Sequence, residues 1–75
     1  MEDYTLLDTS GLLCPIPMLK TKKALQQLRS GDKLKVITTD PASEKDIKSL
    51  LTITNDKLMV LDKQNGHFVF IIEKL

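Results

Sequence analysis

Pro15 and Pro17, one residue apart in Cys14-Pro15-Ile16-Pro17, restrict this chain more than any other feature. Proline lacks an N–H and clashes with a preceding helical turn. Two of them fit one regular element only where a helix begins, at positions whose N–H groups have no intrahelical acceptor. The spacing predicts a helix that starts close to Cys14, with Cys14 flanking the first turn, Pro15 at its first position and Pro17 at its third. Met18, Thr21, Leu25 and Leu28, with Ala24 beside them, continue at helical period. Ser30-Gly31-Asp32 ends the segment, Gly31 suiting a left-handed cap.

The rest of the chain alternates between the two hydrophobic periods. Tyr4 to Asp8 reads as a strand, with Tyr4 and Leu6 on one face and Thr5 and Leu7 on the other. In a second strand Leu34, Val36 and Thr38 alternate with Lys33, Lys35 and Ile37. Asp40-Pro41-Ala42 forms a turn. Ser43 is the expected N-cap of a second helix carrying Ile47, Leu50, Leu51 and Thr54, with Asp46 completing a weak capping box. Asn55-Asp56 closes that helix. Leu58 to Asp62 and His67 to Lys74 are strands joined by a tight turn at Asn65-Gly66. In the last strand Phe68, Phe70 and Ile72 should face the core, leaving Val69 and Ile71 on an open face able to receive a partner or a second copy. Right-handed crossovers turn this β-α-β-α-β-β order into an α/β two-layer sandwich, with both helices on one face of a four-stranded mixed sheet.

Size and composition narrow the function. At 75 residues, the chain is expected to form a single domain over residues 1–75. Such a domain buries roughly 60% of the surface its unfolded chain exposes, which leaves no room for a deep enclosed site beside the core. Chemistry on such a chain is shallow and shared with a partner. Eleven Lys and Arg against ten Asp and Glu give a formal net charge of +1. With no aromatic interleaving, direct nucleic-acid binding is not expected. The opening Met1-Glu2-Asp3-Tyr4 carries neither a basic stretch nor an apolar run, so no export signal is expected, and no segment has the ~20 apolar residues of a membrane span. One cysteine and one distant histidine exclude an internal disulfide and metal-ligand spacing. No metal or cofactor is expected, and a free thiol fits a reducing cytoplasm.

Cys14 is the candidate catalytic residue. A helix start contributes partial positive charge that favours a sulfur anion. The two prolines stiffen the support, and the Ile16 N–H is the early donor expected to point back at the sulfur. A lone Cys among apolar residues also suits a small buried hydrophobe, but a buried thiol needs no such paired prolines. A Cys-His pair is disfavoured because His67 lies beside a predicted hairpin turn, where a solvated residue is expected. Lys20 and Lys23, one to two turns along the helix, fit either an ordinary solvated face or a docking ridge for an acidic partner or RNA phosphates. Asp8 and Asp40 fall at strand ends near helix starts. Asp40 reads as turn chemistry and Asp8 as a shaper of the loop presenting Cys14.

These residues, Asp8-x-x-Gly11-Leu12-x-Cys14-Pro15-x-Pro17 followed by Ser30-Gly31-Asp32 and Asp40-Pro41-Ala42-Ser43-x-x-Asp46-Ile47, resemble the TusA/SirA-type sulfur-carrier family over essentially the whole chain. The resemblance implies a two-layer sandwich and a persulfide carried on Cys14. Asp8, Gly11, Leu12, Pro15, Ile16 and Pro17 would form its supporting motif. It implies a sulfur-donor protein, such as a cysteine desulfurase or a rhodanese-like protein. The implied acceptor protein serves tRNA thiolation, cofactor maturation or sulfur metabolism. Many members have a basic residue before the cysteine and an acidic one between the prolines. Leu13 and Ile16 stand there in this chain, an apolar rim suited to a different protein or a membrane-associated sulfur importer. The alternative is a non-enzymatic regulatory or protein-interaction module of the same fold.

Overall fold

The computed structural model describes residues 4–75; the expectation that Met1-Glu2-Asp3 begins no export signal lies outside them. In chain order the elements are β1 (Tyr4–Asp8), α1 (Ile16–Gln26), β2 (Lys33–Thr38), α2 (Ser43–Thr54), β3 (Lys57–Gln64) and β4 (His67–Glu73). The sheet runs β1-β2-β4-β3. Strands β1 and β2 are parallel, whereas β4 lies antiparallel to both β2 and β3. The expected mixed four-stranded sandwich is therefore the fold.

Strand alternation sorts the side chains into two layers. Leu34, Val36, Phe70 and Ile72 project from the two central strands into one core with Leu25 of α1 and Ile47, Leu50 and Leu51 of α2. Both helices thus cover the same sheet face, and Leu7, Met18, Ala24, Leu28, Leu58, Leu61 and Phe68 pack around the margin. Among the described residues no helix covers the opposite face. There Leu6, Lys35, Ile71 and Val60 stand in one row across the sheet, and Leu6 and Val60 are exposed. A bulge between Leu58 and Val60 interrupts the edge strand β3.

Three helix ends differ from the sequence expectation. Helix α1 begins at Ile16 with Pro15 in the capping position, so Pro17, not Pro15, is the proline inside the first turn. The Ile16 N–H is turned back to the Leu13 carbonyl (2.9 Å), closing a tight turn that moves the helix start one residue on. The helix ends at Gln26 with Gln27 right-handed. Gly31 adopts the left-handed backbone (φ 91°) outside any helix cap. It sits in the turn where its N–H meets the Lys74 carbonyl and Arg29 N–H meets the Asp32 carboxylate.

Ser43 does not cap α2 either; Ala42 takes that place. The buried Ser43 hydroxyl donates to the Asp40 carbonyl (2.6 Å) and pairs with the Thr38 hydroxyl (2.5 Å), satisfying polar atoms that burial would otherwise penalise. Asn55 closes α2 as expected, left-handed at φ 64° with its N–H on the Leu51 carbonyl.

Phe70 is fully buried in the centre of the core and Ile53 is 79% exposed. Replacing Phe70 by Ala should cost about 3–5 kcal/mol in urea denaturation, enough to unfold much of so small a domain. Ile53→Ala should change stability by less than about 0.5 kcal/mol.

Candidate functional site

Parallel pairing of β1 and β2 brings their C-terminal ends to one edge of the sheet, so the connections into α1 and α2 leave side by side. The first is tied down from its start. Thr9 donates through its N–H and its hydroxyl to the Ile37 carbonyl (2.8 and 2.7 Å). Asp8 accepts the Ser10 N–H (2.9 Å), an Asx-type turn at the start of the loop that leads to Cys14. Hydrogen bonding from Ser10, through its side chain first and its backbone second, holds the Asp8 carboxyl below the usual carboxylate range. Gly11, left-handed at φ 81°, aims its N–H at the Thr39 hydroxyl (2.8 Å). The half-buried Leu12 returns its N–H to the Thr9 carbonyl (3.1 Å).

The loop then delivers Cys14, a free and exposed cysteine joined to Pro15 through a cis peptide bond. Its N–H donates to Asp40 Oδ2 (2.5 Å) while Asp40 Oδ1 accepts the Ala42 N–H (3.1 Å). Asp40 is only 8% exposed, so one buried carboxylate fastens the cysteine loop to the start of α2. Asp40 is turn chemistry, as expected, and also the anchor of the site. Pro17 is buried and Pro15 and Ile16 are exposed beside the sulfur.

The Cys14 thiol donates to Asp46 Oδ2, with Sγ and oxygen 2.6 Å apart. Asp46, a capping-box partner by sequence, instead lies half-buried on the first turns of α2 and points across to the other loop. The electrostatics follow this contact. The hydrogen bond to Asp46, loss of water around the sulfur, and the negative charges of Asp46 and then Asp40 push the thiol pKa up. The expectation of an anion favoured by the helix start is corrected for the empty thiol. Cys14 stands outside the helix, the Ile16 N–H is committed to Leu13, and two carboxylates face the sulfur.

Lys20 and Lys23 are exposed on α1 and are not among the charges acting on the thiol. His67 is exposed at the start of β4, its Nδ1 2.9 Å from the Asn65 carbonyl oxygen, and it is not paired with Cys14. Sequence reasoning missed Asp46. The signal for it was its place one turn into a helix that starts at the same sheet edge as the cysteine loop.

Apolar side chains close to Cys14 in the chain are exposed: Leu13 at 71%, Ile16 at the start of α1 and Leu19 further along it. From Asp46 a groove of about 290 Å³ runs between the helices, lined by Met18, Leu19, Lys22, Leu50 and Ile53 among others.

The profile of the family described as Sulfurtransferase TusA matches residues 5–74. The chain belongs to this family. It is 46% identical to the sulfur carrier protein TusA of Allochromatium vinosum, with 91% of this chain and 90% of that protein aligned. It is 34% identical to the sulfur carrier protein TusA of Pseudomonas putida, over 99% and 96% of the two chains. A SirA-like protein of Desulfitobacterium hafniense superposes with a TM-score of 0.80 at 27% identity, covering 92% of this chain and 95% of that one.

Because folding raises the Cys14 pKa, the native thiolate should appear at higher pH than in the denatured chain. Any stability linked to this group is present below the unfolded pKa and lost as pH rises through the folded one. Titration followed by thiolate ultraviolet absorbance checks this, and Asp46→Asn should move the native midpoint down.

Proposed function

We propose that residues 1–75 form one sulfur-carrier domain that takes up sulfane sulfur as a persulfide on Cys14 and passes it to an acceptor protein. Sulfur carriage is the activity of the TusA relatives that align over nearly the whole chain. The observation that carries the assignment to Cys14 is its presentation. The only cysteine of the sequence is exposed, with its N–H on the buried Asp40 and its sulfur against Asp46. A merely structural cysteine would be buried among apolar side chains.

In this reading the Cys14 sulfur attacks the outer sulfur of a donor persulfide. A new Sγ–S bond forms, the donor's S–S bond breaks and the donor leaves as a thiol. An acceptor thiolate later attacks the outer sulfur and Cys14 leaves. Sulfur moves with no external oxidant or reductant and no cofactor.

The donor is a protein of the cysteine desulfurase or rhodanese-like kind. The acceptor serves tRNA thiolation, cofactor maturation or sulfur metabolism, and recognition is by protein contact rather than by nucleic acid. Leu13, Ile16 and Leu19 supply the apolar contact around the sulfur. Lys20 and Lys23, farther along α1, supply charge for docking. Among the described residues no helix is long and apolar enough to cross a membrane, and the free thiol suits the reducing cytoplasm.

Intact mass after incubation with a cysteine desulfurase and cysteine tests the reading. It predicts a gain of one sulfur atom that reductant removes and that Cys14→Ser abolishes. No gain there, nor with thiosulfate and a rhodanese-like enzyme, would overturn it in favour of an interaction module whose partner binding survives loss of the thiol.

A further inference from the structure

We propose that Asp46 is the proton acceptor for Cys14, taking the Sγ proton as the sulfur attacks and returning it to the departing donor. The inference rests on Cys14 being the residue that carries sulfur, and goes beyond it by naming the base.

A thiol whose pKa is raised holds few thiolate molecules near neutral pH, and the thiolate is the nucleophile. Left to that population alone, Cys14 would be a slow acceptor of sulfur. A positioned base removes the difficulty by taking the proton during attack instead of before it. The base must lie within hydrogen-bond reach of the proton it takes, and Asp46 Oδ2 is the atom that receives the thiol hydrogen bond.

Other candidates are placed elsewhere. His67 is bound at the hairpin to the Asn65 carbonyl. Asp40 uses both carboxylate oxygens on backbone N–H groups, those of Cys14 and Ala42. Among the described residues, the charged groups that act on the sulfur are Asp46 from α2 and Asp40 from the turn before it. Lys22 of α1 lines the groove that Asp46 borders.

The two carboxylates therefore divide the work. Asp40 fixes the main chain of Cys14, which keeps the thiol facing Asp46. As the Sγ–S bond forms and the donor S–S bond breaks, the Sγ proton passes to Asp46 Oδ2 and the electron pair of the broken bond leaves with the donor sulfur. That sulfur takes the proton back from Asp46. Atoms, charge and oxidation level balance across the step.

A thiol working with an adjacent ionised base and a free thiolate differ in their pH dependence. The first reacts at a rate nearly independent of pH wherever the thiol is protonated and the base ionised. The second accelerates about tenfold per pH unit below the thiol pKa. Alkylation of Cys14 by iodoacetamide, a neutral probe, reads the difference. The wild-type rate should be nearly flat from about pH 6 to 8. Asp46→Asn should restore the tenfold climb per unit, and Asp46→Glu should recover part of the flat profile. A wild-type rate that already climbs tenfold per unit, with Asp46→Asn merely displaced upward, would overturn the proposal and leave Asp46 as a group that only raises the thiol pKa. The wild-type profile decides the matter even if a variant folds poorly. A flat profile in a protein that gains no sulfur by mass would contradict sulfur carriage and leave the base standing. Sulfur gain with a steep profile would do the reverse.

Discussion

The buried carboxylate of Asp40 joins the two loops on which the site is built. Its Oδ2 takes the Cys14 N–H from one loop and its Oδ1 takes the Ala42 N–H from the other. Its own carbonyl receives the Ser43 N–H and hydroxyl. A carboxylate accepting N–H groups where water is scarce makes stronger hydrogen bonds than a neutral acceptor. Leaving either donor buried and unpaired would cost more than the bond gains. The β-α-β crossover brings the loops to one sheet edge, and Asp40 sets them in register, sulfur against Asp46.

This geometry reverses the simplest electrostatic picture of a cysteine at a helix start. The partial charge of a helix end fades within its first turn, and Cys14 lies outside that turn with the nearest donor already engaged. A carboxylate in direct contact dominates at that range. Cys14 is therefore a thiol held in place, with its proton shared in a hydrogen bond to Asp46. In the proposed relay, reactivity depends on removing one proton at the moment of contact with a sulfur donor, which suits a protein whose cargo is given and taken by partners. The exposed Leu13, Ile16 and Leu19, close to Cys14 in the chain, offer apolar surface that such a partner can cover.

Much of the fold was legible because each segment carries its own period. The alternation of Phe68, Phe70 and Ile72 with Val69 and Ile71 separated core from open face, and Asn55 marked the end of α2. The cysteine stood out through its prolines. Other features depend on distant partners. Pro15 became a capping residue because the Ile16 N–H closes on Leu13, a turn no propensity announces. Ser43 was drawn inward by the Thr38 hydroxyl, and that pairing appears only once β2 and α2 are packed. Asp46 lies 32 residues beyond Cys14, and its capping-box spacing concealed a contact that exists only across the two loops.

The most direct test of the account is hydrogen exchange at the Cys14 amide. The wild-type amide should exchange slowly, and Asp40→Ala should release it while the Ile72 amide in the core stays protected. A wild-type Cys14 amide exchanging as fast as an unstructured peptide would contradict the claim that Asp40 holds the sulfur in place.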